Sequence, residues 1–341
     1  MRNGRLARLV LLLVMAAAIA GCANKWKTSG KIAMGSKNWD KAISDFQRAL
    51  EQTPNDGEVH YLLAAIYKDK GEYKAMLPHL QAADTLYEKA GSKIKDLRES
   101  AWKELFESGN NNIKNNENEK AKDEFELAAF MIPDNHAAYT NAGYAWQLMG
   151  NSDSAFFYFS EAYRIDPENI KVMENLASFS FGIGKYALAD SIYKRILEKD
   201  PKNVDAMVGI GSIAEINEDF ETAKNLYLSA LELEKENCAL WFNLGVLYFQ
   251  RLKNSEEALT AFAKAIEYCP EDANAHINLN VVLIYLERFD EAAERLEIFT
   301  QDFPAECVGW DLYSQALLRK GMKSKALQAE DKFKECQKSG K

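Results

Sequence analysis

Trp241-Phe242-Asn243-Leu244-Gly245, followed by Tyr248, is the stretch that decides the architecture. Its residues have counterparts at a fixed spacing. With Cys238 as the first place of a repeat, Trp241 stands at the fourth place, where Trp26, His60, Tyr139, His276 and Trp310 stand elsewhere. Asn243 takes the sixth place, with Asn141, Asn175 and Asn278. Gly245 takes the eighth, with Gly30, Ala64, Gly109, Gly143, Ala177, Gly211, Asn280 and Ser314. Further out, six of the seven prolines fall at 54, 133, 167, 201, 270 and 304, at intervals of 79, 34, 34, 69 and 34 residues. The first interval is two periods of 34 plus an 11-residue insert, and the fourth is two periods plus one residue. A fixed period of this size marks stacked supersecondary units.

This frame divides the chain into nine repeats at 23–56, 57–90, 102–135, 136–169, 170–203, 204–237, 238–272, 273–306 and 307–340, with the insert at 91–101. The twentieth place is alanine in eight of nine repeats, Met76 being the other. Small residues at places eight and twenty let two antiparallel helices approach closely. The twenty-fourth place is bulky (Phe46, Leu80, Phe125, Phe159, Tyr193, Tyr227, Phe262, Leu296) except for Glu330. These side chains are expected to fill the space between successive hairpins. Proline at the thirty-second place ends a second helix, because it lacks an amide donor and restricts the residue before it.

Trp241-Phe242-Asn243-Leu244-Gly245 with Tyr248 resembles the first-helix signature of the tetratricopeptide repeat, and the frame extends over 22–341. The resemblance implies an all-α fold, a right-handed alpha-alpha superhelix (TPR solenoid) of about nine helix-turn-helix repeats. Departures from the pattern carry their own expectations. Asn112 stands where an aromatic is usual, so the turn through 110–120 should be long and loose. In the insert, Gly91 should stop one helix and Ser92 cap the next; Ile94, Leu97, Ala101 and Leu105 recur at helical spacing, predicting a long helix from near Lys93. Pro78 is expected in the first turn of its helix.

Residues 1–21 carry Arg2, Arg5 and Arg8, then an apolar run from Val10 to Ala20 that is too short to span a bilayer. This is the layout of an export signal. Ile19-Ala20-Gly21-Cys22 resembles a bacterial lipobox. The resemblance implies cleavage before Cys22 and its lipidation, with two or three acyl chains holding the protein stably at a membrane. Ala23, rather than aspartate, points to the outer membrane, facing the periplasm. An ordinary signal with a chance cysteine and an uncleaved anchor are the alternatives.

The net charge is −9. Without 1–21, 39 cations face 51 acids, giving −12. That argues against sequence-independent binding of nucleic acid, which needs a cationic face. The sequence offers no catalytic motif, metal-ligand spacing or cofactor loop, and the repeats leave no length for a catalytic domain. His60 and His276 read as core residues at the fourth place, and His79 and His136 have no recurring acid or cysteine partner. Cys238 and Cys269 lie at the start and near the end of one repeat, and Cys307 and Cys336 of another. Each pair could staple a hairpin; the alternative is four small buried hydrophobes.

In the family, ligand contacts come from places 2, 5, 9, 12 and 13 of each first helix. In repeat seven these include Phe242, Val246 and Phe249; in repeat eight, Ile277, Val281, Ile284 and Tyr285. Asn243 and Asn278 at the sixth place could hold a peptide backbone. Exposed apolar surface marks an interaction site, so this row reads as a binding groove, as a patch that the coil buries against itself, or as ordinary consensus residue use. The same places in repeats five and six (Lys171, Glu174, Ser178, Phe181, Asp205, Val208, Ser212, Glu215) are mostly polar and lean acidic. Lys27 and Lys31 alone do not make a carboxylate clamp. The leading expectation is a lipid-anchored envelope scaffold that takes a protein or extended peptide on its concave face, like the helical-repeat lipoproteins that assemble outer-membrane, pilus or secretion complexes. The rivals are a self-associating structural envelope protein, a helper of peptidoglycan synthesis, and a glycan-cleaving enzyme.

Overall fold

The computed structural model describes residues 25–339, so the leader, the lipobox and Cys22 lie outside the described residues. All regular structure among the described residues is helical. The helices follow in pairs: α1 (25–35) and α2 (Trp39–Gln52), α3 (Gly57–Asp69) and α4 (Tyr73–Leu86), α5 (Gly91–Lys114) and α6 (Asn118–Met131), α7 (His136–Leu148) and α8 (Ser152–Ile165), α9 (Ile170–Gly182) and α10 (Tyr186–Lys199). They continue as α11 (Val204–Ile216) and α12 (Phe220–Leu233), α13 (Cys238–Val246) and α14 (Ser255–Tyr268), α15 (Ala273–Tyr285) and α16 (Phe289–Asp302), α17 (Cys307–Arg319) and α18 (Lys323–Ser339). The chain divides into two compact units between Val172 and Met173. In the first, successive apolar clusters run from Ala33 to Ile66, from Ala64 to Ala138 and from Ala121 to Ala145. In the second they run from Met207 to Ala261 and from Ala258 to Ala329. Each cluster draws on neighbouring helix pairs, the packing economy of a repeat array.

The close approach within a pair is steric. A Cβ on Gly30, Gly109, Gly143, Gly211 or Gly245 would lie 2.6, 2.7, 3.0, 2.7 and 2.7 Å from the ring of Phe46, Phe125, Phe159, Tyr227 and Phe262 respectively. The twenty-fourth-place ring therefore lies on the eighth-place residue of its own hairpin. That corrects the expectation that these rings fill only the space between hairpins. Where the twenty-fourth place is not aromatic (Leu80, Leu296, Glu330), the eighth is Ala64, Asn280 and Ser314. Tyr193, opposite Ala177, presses instead on Gly209 of the following pair.

Helix starts are capped at the thirty-fourth place. Asp56, Asn135, Asn203, Asn237 and Asp272 accept hydrogen bonds from first-turn amides of α3, α7, α11, α13 and α15. Asn169 accepts from the amides of Lys171 and Val172. Each such cap contributes about 1 kcal/mol. Within each pair the first helix ends on a left-handed residue: Lys37, Gly71, Asn116, Gly150, Gly184, Glu218, Lys253, Glu287 and Gly321. Around Lys37 the Lys37 amide donates to Met34 O and the Asn38 amide to Ala33 O, at 2.9 Å each. This is the Schellman arrangement.

Three local expectations need revision. The turn after α5 is as short as the others, because Asn116 takes the left-handed conformation and Asn112 Nδ2 donates to Glu124 Oε2 at 2.7 Å. The long helix begins at Gly91 without a Ser92 cap, because a 3₁₀ turn (Glu88–Ala90) runs straight into it and Glu88 O takes the Gly91 amide. Pro78 is the sixth residue of α4, past the first turn, so Lys74 O goes without its intrahelical donor. The extra residue of repeat seven is absorbed in a π-helical turn, Leu247–Arg251, where the Leu252 amide reaches back to Leu247 O at 3.0 Å.

Asn280 is 1% exposed; its Nδ2 donates to His276 O at 2.9 Å, and its Oδ1 has no partner. Repeat two places Ala64 over Leu80, as repeat eight places Asn280 over Leu296. Asn280→Ala is therefore expected to leave stability unchanged or raise it by up to about 1 kcal/mol, because an unsatisfied acceptor is removed. A denaturant titration that shows a loss beyond 1 kcal/mol would contradict this.

Candidate functional site

The apolar row of the second unit is built on α13, its π turn and α15. Leu240, Leu244 and Leu247 point into the core, which turns Phe242, Val246 and Phe249 to the adjoining face. Leu279, Val282 and Leu283 do the same for Ile277, Val281 and Ile284 on α15. All six residues of the row are half-buried and packed against the cluster that reaches Ala329. Phe242 meets the Phe262 ring edge-on at 5.7 Å, and Phe249 meets Tyr285 edge-on at 5.4 Å. Tyr285 itself is 67% exposed. The row is thus partly covered by its own core, with Tyr285 its most exposed member. Asn243 is half-buried on the same helix. Asn278 Nδ2 donates to Asn274 O of its own helix at 2.9 Å, so this amide is already engaged.

Sequence reasoning stopped at repeat eight, but the face continues. Val308 and Leu318 on α17 are 49% and 53% exposed, and they stand at places two and twelve of repeat nine. The rule that chose Phe249 and Ile284 would have found Leu318. In repeat six the equivalent positions are polar and internally bonded: Tyr227 Oη donates to Glu215 Oε1 at 2.6 Å and lies 3.2 Å from Ser212 Oγ. Burial, and then that bond to Glu215, raise the Tyr227 phenol far above its ordinary range.

Cys238 is joined to Cys269 and Cys307 to Cys336, with Cα atoms 5.9 and 5.6 Å apart. Cys238 and Cys307 open α13 and α17, while Cys269 caps α14 and Cys336 lies in the last turn of α18. Each bridge therefore closes the open end of one hairpin, and the row lies on the pairs they close and on the pair between.

Four of the fourth-place residues share one structural role. His60 Nε2 lies 2.9 Å from Pro54 O and His276 Nε2 3.0 Å from Pro270 O. Trp241 Nε1 and Trp310 Nε1 donate to Lys235 O and Pro304 O at 2.8 and 3.2 Å. In each case the ring N–H serves the carbonyl six residues back, in the turn between pairs. His136 lies 3.7 Å from Asp166, an acid that inspection of the sequence had not paired with it. His79, read as unpartnered, sits 2.9 Å from His60, Nδ1 to Nδ1. Burial and then the facing His60 push His79 down to about 4. Lys27 and Lys31 both reach Glu58 at 2.7 Å, and the hydrogen bond from Lys27 leads in holding that carboxyl below its usual range. Among the described residues no cluster of three or more His, Cys, Asp or Glu is poised for a metal, and no helix is long and apolar enough to cross a membrane.

Models of the tetratricopeptide repeat match residues 46–77, 136–169 and 217–276. The chain carries tetratricopeptide repeats. Among curated relatives of this repeat protein, the BBSome complex member BBS4 of Bos taurus is 26% identical over 154 residues, 45% of this chain and 30% of BBS4. The chain thus spans under a third of that relative. Among solved structures, PilF of Pseudomonas aeruginosa superposes with a TM-score of 0.54 at 15% identity, over 64% of this chain and 99% of PilF. A tetratricopeptide repeat protein from Parabacteroides merdae superposes with a TM-score of 0.53 at 18% identity, over 71% and 94% of the two chains. At these identities the structural likeness concerns the fold.

Proposed function

We propose that the chain is a cell-envelope scaffold that holds a partner protein or extended peptide on the first-helix face of repeats seven to nine, anchored by lipid on Cys22. The observation that carries the reading is the apolar row of Phe242, Phe249, Ile277, Ile284 and Tyr285, extended by Val308 and Leu318 in a repeat array. Aromatic anchors of this kind supply most of the binding energy at protein interfaces. The export-signal layout of 1–21 and the lipobox residues supply the address. The paired cysteines support it, because disulfides persist in oxidising compartments. A role in assembling outer-membrane, pilus or secretion complexes fits a lipid-anchored member of this repeat class.

The test is crosslinking in intact cells from a photoreactive residue at position 308. Discrete foreign partners are expected, and Tyr285→Ala with Leu318→Ala, at the exposed members of the face, should cut their yield at least tenfold while the melting curve moves little. The tenfold figure corresponds to loss of about 1.4 kcal/mol or more. Ladders of the chain alone would favour a self-associating envelope element. An unchanged yield in the double variant would remove this face from consideration. Separately, Cys22→Ala should release the protein from the membrane fraction.

A further inference from the structure

The first unit holds a pair of imidazoles that the proposed scaffold role does not use. His60 on α3 and His79 on α4 face each other with their Nδ1 atoms 2.9 Å apart. His60 Nε2 is 2.9 Å from Pro54 O, an acceptor only, so its proton sits on Nε2 and its lone pair on Nδ1. A ring oriented by a backbone carbonyl through its remote nitrogen is the usual outer support of a metal-bound histidine. His79 lies flat against Tyr67, with ring planes 12° apart and centroids at 5.7 Å. Each ring is thus held by a contact other than the one it makes with its partner.

We propose that His60 and His79 together chelate one divalent transition-metal cation, with Cu²⁺ the best fit. In the metal-free chain the His79 Nδ1–H donates to the His60 Nδ1 lone pair. On binding, the His79 proton moves to its Nε2, both rings stay neutral, and both Nδ1 lone pairs turn to the ion. Metal–nitrogen bonds of about 2.0 Å place adjacent corners of a square about 2.8 Å apart and tetrahedral corners about 3.3 Å apart. The hydrogen-bonded pair, at 2.9 Å, is already close to the square spacing, so the rings need turn but hardly separate to adopt the geometry of Cu²⁺ with nitrogen and oxygen ligands. Because no third histidine, cysteine or carboxylate joins the pair among the described residues, water fills the remaining corners. Mg²⁺ and Ca²⁺, which need oxygen ligands, are excluded.

The test is titration of the full chain, disulfides intact, with Cu²⁺ in a non-coordinating buffer, read by electron paramagnetic resonance. One ion per chain with the hyperfine pattern of two imidazole nitrogens is expected. His79→Ala should weaken binding at least tenfold. His60→Trp is the decisive variant, because tryptophan at this place keeps the N–H donated to the turn carbonyl, as Trp241 and Trp310 do, and removes the metal lone pair. It should fold normally and lose the signal, whereas His276→Ala, whose ring serves Pro270 O, should retain it. No saturable binding in the parent chain, a one-nitrogen spectrum, or an unchanged spectrum in His60→Trp would each overturn the proposal.

Discussion

Gly245→Ala is expected to destabilise the second unit by about 1–3 kcal/mol, and adding Phe262→Leu should restore much of the loss. The alanine Cβ would lie 2.7 Å from a Phe262 ring carbon, and Phe262 is fully buried, so the ring has no solvent to swing into. Overpacking of this kind typically costs 1–3 kcal/mol. Leucine is smaller and branched, and the chain already uses that solution where Ala64 lies in the pair that carries Leu80. Phe262→Leu alone should cost about 1 kcal/mol for lost apolar contact. The double variant should therefore be clearly more stable than the sum of the single losses, with a coupling of 1 kcal/mol or more. Denaturant unfolding of the four proteins measures this directly. Additive losses would mean that the eighth and twenty-fourth places do not press on each other.

The larger effect is expected on reduction. The bridges join residues 31 and 29 apart in sequence. Loops of that length give about 3–4 kcal/mol each by restricting the unfolded chain. That is comparable to a substantial part of a domain's whole stability. Treatment with a phosphine reductant, or Cys238→Ser with Cys307→Ser, should lower the unfolding midpoint of the second unit and leave the first near its original value. Hydrogen exchange localises the change: amides in α13, α14, α17 and α18 should lose protection first. Four free thiols in the untreated protein, or equal protection before and after reduction, would refute it.

The architecture was open to reading because its signals are local and repeated. Proline at the thirty-second place, Asn or Asp two residues later, and the small eighth place each report one backbone requirement per repeat. The pairing of glycine with an aromatic sixteen residues on was also present in the sequence: Gly30 with Phe46, Gly109 with Phe125 and Gly211 with Tyr227, against Ala64 with Leu80. What resisted was anything set by side-chain reach across a hairpin. The eighth place faces the twenty-fourth, so a fourth-place His60 would be expected nearer the twenty-eighth place than His79 at the twenty-third. The left-handed turn residue is glycine in four repeats, but Lys37, Glu218, Lys253 and Glu287 give no sign of it. The row on α13 and α15 was legible as a pattern, whereas its partial cover depends on how Phe242 and Phe249 tilt onto Phe262 and Tyr285.

The wide turn at Leu247–Arg251 bears on how such a chain can change over evolutionary time. In a regular helix a single added residue rotates everything after it by about 100°, since 3.6 residues make a turn. Here the slack is taken up within five residues, and Phe262 still meets the eighth-place Gly245 of its own pair as the equivalent rings do in the shorter repeats. A spliced-in codon is thus quarantined where it arose, so the coding sequence can gain or shed single letters of protein without rewriting its neighbours.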